Sequence, residues 1–337
     1  MVRIGLIGMG RIGRLHGENI ANAIAGATLV AAADPMLNDE MKSWAESKGA
    51  KYIYADAEEL INNPEVDAVF ICSSTATHAD FIIKSAGAGK HIFCEKPIHT
   101  DPAKIIEALD AVEKAGVKLQ VGFVRRFDHN HKKVHDVVAS GKLGNPHIIK
   151  VTSRDPEPAP IEYLRTSGGL FVDMMIHDFD MVRYLSGSEV TEVFAYGNVL
   201  IEPAIKEFGD IDTAIVSLKF ANGALGVIDN SRAARYGYDQ RTEVHADKGC
   251  VKVENDRDDM SEILTAEGTE SAKPTWFFLE RYTQAFIAET IAFVNAIENG
   301  EDVPVNGHDG LMPVYIAIAA DKSLREGRVV KLDEVIL

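Results

Sequence analysis

The densest set of groups able to carry out acid–base chemistry lies in one segment of the second half of the chain, residues 169–184. Four polar residues recur there at intervals of three or four positions: Asp173, His177, Asp180 and Tyr184. At about 100° per residue, one helix over this segment would align them in a narrow stripe. Nearly all other positions are Leu, Phe, Met, Ile or Val, so the stripe would need a wet cavity or a polar partner. The pattern predicts a substrate cleft, with a surface Asp–His pair as the alternative.

A glycine fingerprint opens the chain, Gly8-Met9-Gly10-Arg11-Ile12-Gly13, directly after the apolar run Arg3–Ile7. Between a strand and a helix, these glycines permit a tight turn, close approach of a pyrophosphate and close helix packing. Asp34 follows about 20 residues later, where a carboxylate can bind ribose hydroxyls and repel a 2′-phosphate. The motif predicts NAD rather than NADP. Ordinary turn glycines and a helix-capping Asp34 are the alternative.

With NAD bound, the polar residues of segment 169–184 could take part in the oxidation of an alcohol. Oxidising a secondary alcohol requires a base for the hydroxyl proton and a positive group for the developing alkoxide. His177 suits the base, Asp173 can orient its ring, and Lys96 can supply the charge. Lys96 follows the run His91–Cys94, which we expect at the carboxyl edge of a parallel sheet. Taken alone, a loop lysine is more often solvated surface.

The elements that must position these groups differ between the two halves of the chain. Up to about residue 121, short β-branched or alanine-rich runs alternate with helix-like segments, which predicts βαβ units. We therefore expect residues 1–122 to form an α/β Rossmann domain with a doubly wound parallel sheet. The predicted strands are Arg3–Ile7, Thr28–Ala33, Ala68–Cys72, His91–Cys94 and Lys118–Val121.

From residue 123 the pattern changes to two helices, near 130–140 and 169–185, and to longer alternating strands. This predicts an α+β domain over residues 123–337 with a largely antiparallel open sheet. Two further helices, near 279–299 and 309–326, close the chain. The predicted strands are His147–Ser153, Val190–Leu200, Asp212–Phe220, Gly223–Ser231, Arg241–Ala246 and Cys250–Glu254.

Composition excludes several classes of partner. The 337 residues carry 35 Lys and Arg against 51 Asp and Glu, a formal charge of −16, so we expect no binding to nucleic acid. The three cysteines, Cys72, Cys94 and Cys250, form no metal-binding spacing, which predicts free, buried thiols and no metal. We find neither a secretory signal nor a membrane span and expect a cytoplasmic protein.

Four segments in order resemble the glucose–fructose oxidoreductase/inositol dehydrogenase (Gfo/Idh/MocA) family over almost the entire length. They are the fingerprint, Glu95-Lys96-Pro97, Gly122-Phe123-Val124-Arg125-Arg126-Phe127-Asp128, and the segment from Gly168-Gly169 to Asp180. The resemblance implies NAD-dependent oxidation of a polyol hydroxyl, foremost myo-inositol to 2-keto-myo-inositol (scyllo-inosose). It implies that Lys96, Asp173 and His177 are the catalytic residues, with His177 as the proton acceptor.

The same resemblance implies the other contacts of the site. The loop carrying Ser73, Thr75 and His78 would touch the nicotinamide-side ribose and phosphate, with Glu95 near that ribose; a capping turn is the alternative for this loop. Substrate hydroxyls would meet Lys96, Asp173 and His177, together with four further residues: Arg126, Asp155, Asp180 and Tyr236. Family members also use the open sheet of the second domain for subunit contact, commonly as tetramers.

Three other functions stay open at this point. The substrate of the same chemistry could be scyllo-inositol or an aldose. An NAD-dependent redox-type glycosidase shares the scaffold, and NADH accumulation with a free polyol would distinguish it. A non-catalytic sugar sensor is the third, although such sensors lose catalytic residues whereas Lys96, Asp173 and His177 are all present.

Overall fold

The computed structural model describes residues 1–337 and contains two compact units. The first comprises residues 1–127, 284–314 and 337, and the second comprises residues 128–283 and 315–336. This differs from the linear division predicted at residues 122/123, because a later segment returns to the first unit. Phe293 and Val294 of that segment are fully buried in the hydrophobic core of the first unit, beside Phe70 and Phe93. A core shared by distant segments leaves no local signal in a sequence.

The first unit is built on a six-stranded parallel sheet in the order β3-β2-β1-β4-β5-β6. This order is that of doubly wound dinucleotide-binding folds, so the predicted fold class of this unit is confirmed. The five predicted strands are present, and the added strand, β3, is too short for a sequence signal. The strands are β1 (Val2–Ile7), β2 (Ala27–Ala33), β3 (Tyr52–Tyr54), β4 (Ala68–Ile71), β5 (His91–Glu95) and β6 (Leu119–Gly122).

Helices alternate with these strands, and their ends follow local capping chemistry. Asp101 accepts a hydrogen bond from the Ala103 amide ahead of Pro102, and Gly116 ends the same helix at a φ of 66°. The helices are α1 (Arg11–Asn22), α2 (Asp39–Ser47), α3 (Ala57–Ile61), α4 (Thr75–Gly87) and α5 (Pro102–Ala115). Val124–Phe127 forms a 3₁₀ turn.

The second unit contains a seven-stranded sheet in the order β12-β11-β7-β10-β9-β8-β15. Only β7 and β10 pair in parallel, so the predicted largely antiparallel sheet is confirmed. Burial alternates along β9, where Val216 is buried while Ile215 is 52% exposed, as expected of a sheet with one open face. The strands are β7 (Pro146–Arg154), β8 (Val190–Asn198), β9 (Thr213–Phe220), β10 (Leu225–Ser231), β11 (Asp239–Ala246), β12 (Gly249–Val253) and β15 (Val330–Lys331).

The segment 169–185, predicted as one helix, forms two helices. The chain turns at Met174 and Met175, and the Met175 amide donates to the Leu170 carbonyl, one residue beyond helical register. Asp173 is therefore the last residue of one helix, and His177 is the second residue of the next. The new helices are α6 (His129–Ala139), α7 (Ile161–Leu164), α8 (Leu170–Asp173) and α9 (Ile176–Ser186).

The remaining elements include one further departure from the sequence-based expectations. A hairpin of β13 (Glu262–Thr265) and β14 (Gly268–Ser271) has every residue exposed. Short 3₁₀ helices cover Pro203–Phe208 and Leu332–Glu334. The closing helices are α10 (Phe278–Arg281), α11 (Thr283–Asn299) and α12 (Gly307–Glu326).

The cysteine thiols are free, as the sequence predicted, but their burial varies. Cys94 is buried, Cys72 is partly buried and Cys250 is exposed, because Cys250 lies in the edge strand β12. The expectation of three buried thiols is therefore wrong. None of the twelve helices combines the length and apolar character needed to cross a membrane.

Candidate active site

The fingerprint turn of the first unit has the shape that a pyrophosphate requires. Gly8 adopts a φ of +94°, and a Cβ there would lie 2.7 Å from the Cys72 carbonyl group. A Cβ on Gly13 would lie 1.9 Å from the Gly8 oxygen, so only glycine lets α1 begin this close to the turn. A Cβ on Gly10 would meet nothing within 4 Å. The open side at Gly10, where α1 begins, fits a phosphate beside helix N-terminal amides.

Asp34 is fixed to this turn by backbone donors. One carboxylate oxygen accepts from the Met9 amide at 2.7 Å, and the other accepts from the Met36 amide at 2.9 Å. The side chain is 8% exposed at the end of β2. Each carboxylate oxygen can accept more than one hydrogen bond, so both keep capacity for ribose hydroxyls. The residues present therefore fit the adenosine half of NAD.

The three predicted cofactor residues of the loop after β4 differ from one another in burial and in hydrogen bonding. Ser73 and Thr77 join their hydroxyls at 2.7 Å, and Thr75 is the first residue of α4. His78 is 2% exposed, with its ring nitrogens 2.8 Å from the Pro97 carbonyl and 3.0 Å from the Ser73 carbonyl. Burial lowers the pKa of His78, and a neutral ring can donate to only one of these two carbonyls. His78 thus ties the loop after β4 to the loop after β5.

The loops after β5 and β6 carry Lys96 and Arg126. Lys96 is partly buried directly beyond β5, at the carboxyl edge where the sequence placed it. Arg126 lies in the 3₁₀ turn after β6, and its guanidinium is 2.9 Å from the Asp309 carboxylate. Asp309 was not identified as a site residue, because 183 positions separate the two and no local pattern links them.

In the second unit, Asp173 is held by two side chains that sequence analysis did not identify. The Tyr163 hydroxyl donates to one carboxylate oxygen at 2.7 Å, and an Arg232 nitrogen donates to the other at 3.2 Å. Arg232 is 2% exposed, and Asp210 lies 4.0 Å from its guanidinium. A buried arginine between two carboxylates is a costly arrangement that persists only where its charges are matched. No local pattern in the sequence links Arg232 to Asp173, because 59 positions separate them.

The other predicted residues of α9 differ in accessibility. His177 is partly buried in the first turn, whereas Asp180 is 1% exposed. Asp178, the residue after His177, is fully buried and accepts a hydrogen bond from the Asn230 side-chain amide at 2.6 Å. Nine of the eleven residues of α9 are buried, and four of these nine are polar or charged.

Asp155 and Tyr236 lie in neighbouring loops of the second unit. The amide of Asp155 donates to Ser231, and its carbonyl accepts from Ala234. The Tyr236 hydroxyl donates to Asp239 at 2.5 Å and accepts from Arg154 at 3.1 Å. Burial and the Asp239 carboxylate raise the pKa of Tyr236, which keeps its proton. A substrate contact by Tyr236 would therefore use an already oriented hydroxyl.

Together the two units define an oxidoreductase with an NAD-binding Rossmann domain. Residues 2–123 match the model of the oxidoreductase family with NAD-binding Rossmann fold, and residues 131–252 match the GFO/IDH/MocA C-terminal domain. The chain belongs to the Gfo/Idh/MocA family. The predicted family, the NAD cofactor and the NAD-dependent dehydrogenase class acting on CH–OH groups are thereby confirmed.

Relatives match over the full length of both chains. The myo-inositol 2-dehydrogenase of Thermotoga maritima is 48% identical, covering 99% of this chain and 100% of that protein. A crystal structure of a myo-inositol dehydrogenase from Corynebacterium glutamicum is 38% identical, with coverages of 98% and 99% and a TM-score of 0.93. That of scyllo-inositol dehydrogenase from Lactobacillus casei, with bound NAD(H) and scyllo-inositol, is 31% identical, with coverages of 99% and 99% and a TM-score of 0.91.

Two alanine substitutions in the fingerprint should separate folding from cofactor binding. Gly10→Ala adds a methyl group into open space, so we expect apo-protein stability to be kept while NAD affinity falls at least tenfold. Gly13→Ala forces a methyl group against a backbone oxygen, which should cost about 3 kcal/mol of stability. Thermal unfolding and NAD titration of both variants measure this. Equal loss of stability in both would refute the assignment of the open side.

Cofactor choice should follow from Asp34. A 2′-phosphate beside this carboxylate is repelled and removes a ribose hydrogen bond, so kcat/KM should favour NAD over NADP by about 100-fold. Asp34→Ser removes the charge and should shrink that ratio. Steady-state kinetics with both cofactors provide the test, and comparable kcat/KM values in the unsubstituted protein would contradict it.

The buried Arg232 should be required for the stability of the fold, whereas the exposed Arg235 should not. Arg232→Met leaves Asp173 without its buried cation and should cost about 3 kcal/mol of stability. Arg235→Met is the matched control in the same loop and should stay within about 0.5 kcal/mol. Chemical denaturation of the three proteins decides this. An Arg232→Met protein as stable as the control would show that the buried pair contributes little.

Proposed function

We propose that this protein oxidises myo-inositol at its 2-hydroxyl, producing 2-keto-myo-inositol and NADH. The observation that supports myo-inositol as the substrate is the 48% identity to a myo-inositol 2-dehydrogenase across the full length of both chains. NAD, when bound, supplies the hydride acceptor. The decisive experiment is NADH production across a panel of inositols and aldoses, in which myo-inositol should give the highest kcat/KM.

The proposed chemistry assigns one task to each catalytic residue. His177 accepts the proton of the reacting hydroxyl, and Lys96 stabilises the alkoxide as negative charge develops. Asp173 carries the negative charge that orients the His177 ring. Its own carboxylate is held by Tyr163 and Arg232, so it cannot swing freely. A fixed charge needs no reorganisation during the reaction.

Substrate recognition is proposed to depend on polar residues that family resemblance assigns. Arg126 and Asp180 bind hydroxyls of the polyol, and Asp155 and Tyr236 contribute contacts that vary between substrates. For Arg126, the ion pair with Asp309 supports this role, because it fixes a guanidinium that is only 10% exposed. Oriented donors discriminate hydroxyl stereochemistry better than mobile ones do.

A second substrate has a specific observation in its favour. The related structure from Lactobacillus casei contains scyllo-inositol, which differs from myo-inositol in the orientation of one hydroxyl. Both polyols present the same secondary alcohol chemistry to a base and a cation. The inositol panel therefore includes scyllo-inositol, and a higher kcat/KM with it would replace myo-inositol in the proposal.

We further propose a cytoplasmic homotetramer that binds neither nucleic acid nor membranes. Three free thiols fit a reducing compartment. The open face of the second-unit sheet exposes apolar side chains, including Tyr196 at 68%, Ile215 at 52% and Leu225 at 54%. Such a face is suited to subunit contact. Sedimentation of the purified protein should give four times the 36.8 kDa chain mass.

Removing the proposed base should abolish turnover without affecting cofactor binding. His177→Ala should lower kcat by about 10² to 10⁴, while NAD binding is retained because the fingerprint belongs to the other unit. Only a neutral imidazole can accept a proton, so oxidation should rise with pH along a limb that the variant lacks. Rate–pH profiles and NAD titrations test this. An unchanged rate and limb would remove His177 from the mechanism.

Lys96 should matter more to the transition state than to the ground state. Lys96→Met removes the positive charge that the alkoxide needs, so kcat should fall further than NAD affinity does. The matched control is Lys51→Met, an exposed lysine of the same unit. Wild-type turnover in Lys96→Met would show that Lys96 has no catalytic role.

A further inference from the structure

The first unit contains a buried ionisable cluster that the proposed reaction does not use. It consists of His16 of α1, Glu95 at the end of β5, and Glu289 of α11. The His16 and Glu289 side chains are 0% exposed, and the Glu95 side chain is 14% exposed. We call these three residues the His16 cluster. Buried groups of this kind are retained only where a partner or a function compensates their desolvation.

Hydrogen bonding within the cluster is unequal. His16 Nε2 lies 2.7 Å from Glu95 Oε1, which is a full hydrogen bond, but 4.0 Å from Glu289 Oε1, which is not. Neither oxygen of Glu289 has a hydrogen-bond partner. The imidazole is wedged among aromatic edges, with ring centroids 5.0 to 5.7 Å away: Phe70, Phe93 and Phe286. His16 is thus held firmly and donates to Glu95.

The charges facing Glu289 favour its neutral form. Glu95 faces Glu289 from β5, and His16 faces it from α1. The Cys72 thiol, in the loop after β4, is also close enough to interact electrostatically with both carboxyl groups. From β6, Gln120 donates to the Glu289 backbone carbonyl at 2.9 Å. Burial, followed by the negative charge of Glu95, raises the pKa of Glu289 well above its ordinary value. A protonated Glu289 adds no second negative charge to the cluster.

The geometry fits shared protons better than a metal ion. Ligand atoms around a tetrahedral zinc at about 2.0 to 2.2 Å lie roughly 3.3 Å apart. The 2.7 Å between His16 Nε2 and Glu95 Oε1 is shorter and matches a charge-assisted hydrogen bond.

Glu95 is the only member of the cluster that a ligand can reach. It ends β5 at the carboxyl edge of the parallel sheet, the edge at which doubly wound folds bind their ligands. Its second oxygen, Oε2, lies against Gly122, where a Cβ would approach to 3.0 Å. One oxygen is fixed by His16, and the other is confined by a residue that has no side chain.

We propose that His16 and Glu289 are positioning residues for cofactor binding: His16 fixes one oxygen of the Glu95 carboxylate, Glu289 closes the buried side of the cluster beside His16, and Glu95 accepts hydrogen bonds from the nicotinamide-side ribose. The proposal rests on the proposed NAD-dependent function, and it takes the contact between Glu95 and that ribose from the family resemblance. Because oxidised and reduced cofactor share that ribose, loss of positioning should weaken both by the same factor. The loss should fall on Kd and on KM for NAD rather than on kcat.

Two substitutions of His16 separate its hydrogen bond from its packing. His16→Phe preserves an aromatic ring among the three phenylalanines but removes the donor, so Kd for NAD and for NADH should rise about tenfold. His16→Gln places an amide donor near Nε2 and should recover most of that affinity. Fluorescence titration with both cofactors measures these constants. Unchanged Kd in His16→Phe, or equal losses in both variants, would overturn the proposal.

Substituting Glu289 tests its protonation. A buried acid that stays neutral in the folded chain but ionises in the unfolded chain costs stability, and the cost grows as pH rises above about 4.5. Glu289→Gln removes that cost, so its Tm relative to wild type should climb between about pH 5.5 and about pH 8.5. Glu301→Gln, an exposed glutamate two residues after the end of the same helix, is the control and should show no such climb. A Tm difference that is flat or falls with pH would show that Glu289 is ionised.

These measurements also separate the two proposals. Cofactor Kd and Tm require no polyol, so the His16 cluster can be confirmed even if no inositol is oxidised. Conversely, inositol oxidation with a wild-type cofactor Kd in His16→Phe would leave the proposed function standing and overturn the inference.

Discussion

All strands of the first unit are parallel and end at one edge of a single sheet, and the chemistry of this protein depends on that constraint. The edge gathers the fingerprint turn after β1, Asp34 after β2, the Ser73 loop after β4 and Glu95-Lys96 after β5. Parallel strands are joined by crossovers, so residues tens of positions apart become neighbours there. The Asp34 carboxylate shows the result, since it accepts directly from the Met9 amide of the fingerprint.

Polar groups at this edge are fixed by partners rather than left to solvent. The His78 ring contacts a carbonyl of each of two loops, and His16 holds Glu95. In the second unit, Arg232 and Tyr163 hold Asp173. Each of these partners is a side chain whose loss leaves a buried polar group without compensation, which costs more than the hydrogen bond itself contributes. Orientation at the site is therefore coupled to the stability of each unit.

The return of residues 284–314 to the first unit has a similar consequence. The ring centroid of Phe293 lies 5.6 Å from that of Phe70 and 6.0 Å from that of Phe93. The same helix brings Glu289 to His16. The apolar contacts supply the driving force that buries this carboxyl group. A polar residue carried into a core by its neighbours has to lose its charge or find a partner, and Glu289 keeps its proton.

The sequence by itself determined the parallel and antiparallel sheets, the fingerprint and Asp34, because periodicity and glycine spacing are local properties of the chain. It also predicted the polar residues of 169–184, but it assumed a continuous helix. Only tertiary structure decided the interruption at Met174 and Met175 between α8 and α9. The partners of the site residues, such as Arg232 for Asp173 and Glu289 beside Glu95, also came from the fold alone. They lie far apart in the chain, and burial and hydrogen bonding between distant segments leave no periodic trace in sequence.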